Sequence, residues 1–146
     1  MELKILIDRY QFAMNRVYRS INTILKEKIH SDITTDQFST LQYIHHHQYC
    51  TSTQIAHAFG IGKSAVTAQI NRLANKDLIK RIRDEQDRRN VFLYVTDKGK
   101  DVIESTDEIL HQIIGSKLSH FNKQEIESFI QSLEKLIDIH RTLLDI

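Results

Sequence analysis

The chain contains no proline and only four glycines among its 146 residues, so few positions force a helix to end. From Leu3 to Ile24 the apolar residues recur at alternating steps of four and three. Such spacing places these side chains along one side of a long helix, which we expect to end near Ile29. The first constraint on this chain is therefore a mainly helical fold.

Three further helix starts share one sequence signature. In each, Thr or Asn stands three residues before Gln or Glu, so that the first side chain caps the helix and the second bonds back to the cap. The three pairs are Thr34 with Gln37, Thr51 with Gln54, and Asn122 with Glu125. These signatures predict helices over about residues 35–48, 52–59 and 123–144.

A short stretch near the middle of the chain changes to the pattern of β-strands. Residues 79–83 and 91–95 are β-prone runs, and the polar, charged segment 84–90 lies between them. We predict a β-hairpin with a long tip. Thr96 can then cap a helix over about residues 97–119.

The last predicted helix carries an apolar stripe that is too wide for one neighbouring helix to cover. Its members are Ile126, Phe129, Ile130, Leu133, Leu136, Ile137, Leu143 and Leu144. We therefore predict a homodimer in which the first and last helices of two chains pack together. A monomer that folds these helices against itself is the alternative.

Charge is spread unevenly along a chain whose net charge is only +1. Residues 61–100 hold ten basic and five acidic side chains, whereas residues 101–146 hold four basic and nine acidic ones. A basic middle followed by an acidic end indicates that the middle segment faces a polyanion. Two ordinary solvated surfaces are the alternative explanation.

The basic segment follows the pattern of a helix-turn-helix. Ile55 and Ala56 fall on a short helix, Gly60 supplies the positive φ that a tight turn needs, and Val66 and Ile70 return on the next helix. At 100° per residue this second helix keeps a polar outer face. The outer face holds Ser64, Thr67, Ala68, Asn71 and Asn75, with Lys63 and Arg72 on its flanks.

That outer face suits the major groove of DNA, where Asn can pair with adenine and hydroxyls can bond to bases or phosphates. At the hairpin tip, Arg88 and Arg89 can reach a narrow minor groove, and Asp87 can hold one of them in place. The alternatives are a plain solvated helix face and a charged turn that keeps the hairpin soluble. Both elements within one basic segment favour a winged helix-turn-helix.

The sequence resembles the MarR-type winged-helix transcriptional regulators over nearly its whole length. The motifs that carry the resemblance are Ile55-Ala56 with Phe59-Gly60-Ile61, Lys63-Ser64-Ala65-Val66-Thr67, Asn71-Arg72-Leu73, and Asp87-Arg88-Arg89 followed by Val95-Thr96-Asp97-Lys98-Gly99. The resemblance implies one MarR-like domain over residues 1–146. Its winged helix-turn-helix occupies residues 34–99, and residues 1–33 and 100–146 form long dimerisation helices.

The function implied by this resemblance is sequence-specific binding of double-stranded DNA. Members of the family are homodimers that bind pseudo-palindromic operators, usually as repressors, and many release DNA when a small molecule or an oxidant binds. We therefore expect a transcriptional regulator with no enzymatic activity and no cofactor, which a small-molecule effector or an oxidant releases from DNA. A winged-helix module that binds an acidic protein partner instead of DNA is the alternative.

The resemblance also assigns roles to individual residues. Thr67 corresponds to a hydroxyl that faces the groove, Arg72 to a phosphate contact, and Arg89 to the minor-groove arginine that Asp87 orients. Ala68 departs from the pattern, because many relatives have Arg at this position. A guanine contact is then missing, and Ala68 could instead touch a thymine methyl group.

The sequence patterns that bear on sensing sites and on cellular location are weaker than those of the DNA-binding segment. The side chains of the run His45-His46-His47 point in three directions on a helix, which favours a solvated helix end over a metal site. The alternative is a metal site in the dimer, with His30, Glu27 and His111 as further possible ligands. The single Cys50 precedes a cap and is placed to be a small apolar contact rather than a reactive thiol. The apolar runs of the chain are far shorter than the ~20 residues that span a bilayer, so we expect a cytoplasmic protein without a membrane partner.

Overall fold

The structure is a computed structural model that describes residues 2–28 and 33–144, with their side chains up to residue 139. Within these ranges it contains six helices and a two-stranded antiparallel sheet. In chain order the elements are α1 (Leu3–Lys28), α2 (Thr35–His46), α3 (Ser52–Phe59), α4 (Lys63–Asn75), β1 (Ile79–Arg83), β2 (Val91–Val95), α5 (Asp97–Leu118) and α6 (Lys123–Leu144). The predicted fold class, mainly α with a small β-hairpin, is confirmed.

The element boundaries differ from the predicted ones at only a few positions. The helix expected over 35–48 ends at His46, because Gln48 takes a left-handed backbone φ of 67° and its N–H donates to the His45 carbonyl. The end of α1 was expected at Ile29, which lies outside the described residues. Both strands have the predicted bounds.

The three predicted capping pairs differ in how they form. Thr51 and Gln54 make both reciprocal bonds, and so do Asn122 and Glu125. The Thr34 hydroxyl accepts from the backbone N–H of Gln37 at 3.1 Å, but the Gln37 side chain is buried and accepts from the Lys76 ammonium instead. That pair therefore forms only one of the two bonds of a capping box, because the Gln37 side chain bonds to Lys76 and not to the backbone of Thr34.

The chain divides into two compact units, Met1–Thr106 and Asp107–Ile146. The core of the first unit lies where α4 packs against α2, α3 and β1. Its central side chains are fully buried and come from three helices: Leu41, Ile44, Ile55, Val66 and Leu73. Since all of the buried residues of α4 lie on one side, the opposite side of this helix is held outward.

The hairpin and the first turns of α5 are joined closely within the first unit. The Thr96 hydroxyl accepts from the Gly99 N–H at 3.0 Å and donates to the Asp77 carbonyl at 2.5 Å. A Cβ atom on Gly99 would lie 2.7 Å from Cγ1 of Val95 and closer still to the Leu78 carbonyl oxygen. Glycine is therefore required where the helix approaches the strand.

Both the first and the last helix carry large apolar side chains that are exposed in the single chain. On α1, Leu3, Tyr10 and Val17 are exposed although they belong to the predicted apolar row. On α6, Phe129 and Ile137 are exposed by 59% and 56%. In residues 2–28 and 33–144 no helix combines the length and the apolar character that crossing a membrane requires.

Candidate nucleic-acid interface

A tight turn sets the direction of α4 relative to α3. Gly60 has a left-handed backbone φ of 62°, and the N–H groups of Gly60 and Ile61 donate to the carbonyls of His57 and Ala56. Gly62 then stands at the N-cap of α4 and, having no side chain, leaves the first turn without a side-chain cap. The positive φ expected of Gly60 is therefore observed.

The polar residues predicted for the outer face of α4 are brought together on its solvent side. Val66, Ile70 and Leu73 are buried, whereas Ser64, Thr67 and Asn71 are exposed. Lys63 and Arg72 are also exposed, while the methyl group of Ala68 is half-buried. The structure thus offers hydroxyls, an amide and two cations along one accessible helix.

Two partly buried polar contacts join α4 and its C-cap residue to α2. The Thr40 hydroxyl donates to Oε1 of Gln69 at 3.2 Å, and Nζ of Lys76 donates to Oε1 of Gln37 at 3.1 Å. Thr40 and Gln37 are 1% and 4% exposed. The Thr40 hydroxyl is also 2.9 Å from the Asp36 carbonyl, to which it can donate if the Gln69 contact breaks. Loss of the Lys76 contact would leave the buried Gln37 oxygen without this donor, so the bond to Lys76 is the stronger restraint on how α4 can rotate.

The hairpin tip is a compact turn that a neighbouring arginine supports. The Asp84 N–H donates to the Asn90 carbonyl at 2.9 Å, and the Asn90 N–H donates to the Asp87 carbonyl at 3.0 Å. The Arg83 guanidinium donates to the Arg88 carbonyl at 2.5 Å. The backbone that carries the two predicted wing arginines is therefore well defined.

Asp87 and Arg89 form a two-bond ion pair at this tip. Nε and Nη2 of Arg89 donate to the two carboxylate oxygens at 3.1 and 3.3 Å, while the Arg89 side chain stays 90% exposed. Hydrogen bonds from the Arg89 side chain, and then from its backbone N–H, lower the pKa of Asp87. The carboxylate is thus charged at neutral pH and directs a guanidinium that remains accessible.

Arg81 is a cation of this surface that the sequence interpretation missed. Its Nη2 donates to Oδ1 of Asn71, so that β1 is tied to the exposed face of α4. Both side chains are exposed. No motif indicated this contact, because it joins a strand residue to a helix residue through the tertiary fold.

The cysteine and histidines that were weighed as possible sensors have different surroundings. Cys50 is 2% exposed and its backbone is bridged to Leu93 of β2, and burial raises the pKa of its thiol to about 11. His45, His46 and His47 are exposed at the end of α2. Among the described residues no group of His, Cys, Asp and Glu is placed to hold a metal ion, and His30 lies outside them.

Comparisons with known proteins agree with this geometry. The MarR family model matches residues 33–91. The HTH-type transcriptional regulator MhqR of Bacillus subtilis (strain 168) is 24% identical over 125 residues, which is 85% of this chain and 86% of MhqR. Streptococcus pneumoniae FabT, solved in complex with DNA, is 22% identical with a TM-score of 0.81 over 97% of this chain and 99% of that one.

A MepR-like protein, solved in complex with pseudoligands, is 30% identical with a TM-score of 0.67. The match covers 93% of this chain and 96% of that protein. The chain belongs to the MarR family. As a MarR-family protein it is a DNA-binding transcriptional regulator of the winged helix-turn-helix type and not an enzyme, as predicted.

Proposed function

We propose that this MarR-family protein is a homodimeric repressor that binds a pseudo-palindromic operator and releases it when a small molecule binds. In this proposal α4 enters the major groove and the hairpin wing reaches the adjacent minor groove. The observation that carries it is the exposed Arg89, held by Asp87 at the wing tip in the same unit as the polar face of α4.

Each predicted contact residue of α4 then has a role that its chemistry supports. The hydroxyls of Ser64 and Thr67 bond to base edges or phosphates, and Asn71 contacts a base edge. Ala68 lies against a thymine methyl group. Lys63 neutralises a phosphate next to the uncapped first turn of α4, whose N–H groups favour an anion, and Arg72 neutralises another from the last turn of the helix.

The wing extends the contact by one groove. Arg89 inserts into the minor groove, whose negative potential is greatest where it is narrow, and Arg88 contacts the neighbouring backbone. Asp87 is not itself a DNA contact in this proposal. Its part is to hold the Arg89 guanidinium in one direction before binding, which lowers the entropy lost when the complex forms.

Dimerisation is supported by the apolar side chains that the single chain leaves uncovered on α1 and α6. Among them are Leu3, Phe12, Phe129 and Ile137, each more than half exposed. A second copy would remove them from water and place two α4 helices about a two-fold axis. Binding to an inverted repeat requires those helices to lie about 34–36 Å apart, one turn of DNA.

Release by a small molecule is preferred over release by oxidation of a thiol. Cys50 is the only cysteine, it is buried, and a pKa raised to about 11 keeps it as the unreactive thiol at neutral pH. The MepR-like relative was solved with bound pseudoligands. An effector that changes the separation of the two α4 helices would weaken the operator complex.

Enrichment of randomised DNA duplexes on the purified protein tests this function. We expect recovery of an inverted repeat, and a log affinity that falls with log salt by about 0.9 for each phosphate contacted. Sedimentation at several concentrations should give a dimer, and a reporter promoter that overlaps the recovered site should be silenced. If no motif is enriched, the protein-interaction alternative replaces the proposal.

A further inference from the structure

Arg81 and Asn71 meet on the exposed surface between the wing and the recognition helix. Nη2 of Arg81 donates to Oδ1 of Asn71. In the antiparallel register Arg81 lies opposite Leu93, whose side chain is buried, so both leave the sheet on the side that packs against the helices. Lys80 and its partner Tyr94 leave the sheet on the other side, with Nζ of Lys80 5.9 Å from the Tyr94 ring centre.

The contact changes what Asn71 can recognise. Pairing with adenine requires the amide oxygen to accept from N6 while the amide nitrogen donates to N7. In this structure that oxygen already accepts a hydrogen bond from the Arg81 guanidinium. The remaining N–H groups of Arg81 would then face the amino group of adenine, and two donors cannot bond to each other. Asn71 keeps its two amide hydrogens, and the second lone pair of its oxygen lies beside the guanidinium donors of Arg81.

Arg81 itself presents donors only. A guanidinium has five N–H groups in a fixed fork, of which the contact with Asn71 uses one. Among the described residues no carboxylate lies within ion-pair distance of Arg81. One turn before Asn71 on the same helix stands the small, half-buried Ala68, so no large side chain at that position blocks the approach of a base.

We propose that Arg81 and Asn71 together form a donor-rich reading pair that selects a guanine in each half of the operator. Guanine is the base whose major-groove edge offers two acceptors, O6 and N7, whereas adenine and cytosine each present an amino donor there. Asn71 orients the Arg81 fork and adds its own amide donors. The inference rests on the proposed function, because it assigns a base preference to the same DNA-binding surface.

The test compares enriched sequences for the wild type and four variants. Arg81→Ala removes the fork, Arg81→Lys keeps the charge without the fork, and Asn71→Ala removes the residue that orients it. Lys80→Ala is the matched control, since it removes the same charge from the same strand on the opposite side of the sheet. Thermal unfolding by circular dichroism checks that each variant folds.

We expect the wild type to recover a motif with one strongly selected guanine per half-site. Replacing that guanine with adenine should weaken its binding about 10- to 100-fold in gel-shift titrations. Arg81→Ala and Arg81→Lys should lose most of this discrimination, Asn71→Ala should reduce it, and Lys80→Ala should keep it. Arg81→Lys should remain the tighter binder of the two Arg81 variants.

The outcomes separate the two proposals. A wild-type motif whose guanine preference persists in folded Arg81→Ala and Arg81→Lys overturns the reading pair and leaves the proposed function standing. A preference for adenine at the position that responds to Asn71→Ala also overturns the pair. If the wild type recovers no motif, the proposed function fails and the reading pair fails with it.

Discussion

The Arg89 guanidinium donates to both carboxylate oxygens of Asp87 while 90% of the arginine side chain stays exposed to solvent. We predict that Arg89→Ala lowers operator affinity by about 1–3 kcal/mol without changing the fold, because an inserted minor-groove cation is lost. Gel-shift titration on the enriched operator measures the change. Unchanged affinity would remove the wing from the interface.

Replacing Asp87 gives a more discriminating prediction. Asp87→Ala removes a negative charge close to DNA, so binding to random duplexes should tighten. Operator binding should nevertheless gain less than non-specific binding, since Arg89 loses the partner that directs it. The ratio of operator to random-duplex affinity therefore falls, and a ratio that stays constant would show that Asp87 does not orient Arg89.

We predict that Arg72 contacts a phosphate of the DNA backbone. Arg72→Ala should weaken binding to every duplex by a similar factor and reduce the slope of log affinity against log salt by about one. Lys135→Ala on α6 is the charge-matched control, because Lys135 is exposed and lies outside residues 34–99. A loss confined to one base position would contradict the phosphate role.

Cys50 makes the stability of the fold depend on pH in the alkaline range. Its folded pKa of about 11 lies above the ordinary value of about 8.5, so its contribution to stability is complete below about pH 8 and is lost as the pH rises through 11. The unfolding free energy of the wild type should fall relative to that of Cys50→Ala by about 2 kcal/mol between pH 9 and pH 11.

The comparison with Cys50→Ala is needed because burial also raises the pKa of Tyr43, which titrates in both proteins. The charge of an ionised Cys50 raises the pKa of Tyr43 further, and this smaller contribution is absent from Cys50→Ala. Urea unfolding at several pH values gives both free energies. Curves that run parallel from pH 8 to pH 11 would mean that the thiol ionises in the folded protein as easily as in the unfolded chain.

Two glycines of α5 should respond in opposite directions to the same substitution. Gly99→Ala forces a methyl group against Val95 and the Leu78 carbonyl, which should destabilise the protein by about 1–3 kcal/mol. Gly115→Ala meets nothing within 4 Å and should stabilise it by about 0.5–1 kcal/mol. Thermal and urea unfolding of both variants check the prediction, which fails if Gly99→Ala is neutral.

Local sequence rules predicted most of the fold. The hairpin bounds, the Thr51 and Asn122 capping boxes and the turn at Gly60 depend on residues a few positions apart, so their patterns are visible in the sequence. The exposure of Thr67 and Asn71 followed from the helical period for the same reason.

The contacts that the sequence could not predict join distant elements. Gln37 was assigned to a capping box, yet its side chain accepts from Lys76, 39 positions away. Arg81 was counted only as part of the basic segment, although it bonds to Asn71 on the neighbouring helix. Such pairs depend on the packing of α2, α4 and β1, and the residues next to each partner in the sequence contain no signal for them.

The burial of Cys50 has a practical consequence for spectroscopy. It is the only cysteine in the chain, and at neutral pH its enclosed thiol is a poor nucleophile toward maleimide dyes. A Gln86→Cys substitution at the exposed hairpin tip would therefore take a fluorophore at one defined position without first deleting the native residue. Fluorescence anisotropy of that label would follow the wing as it engages a duplex.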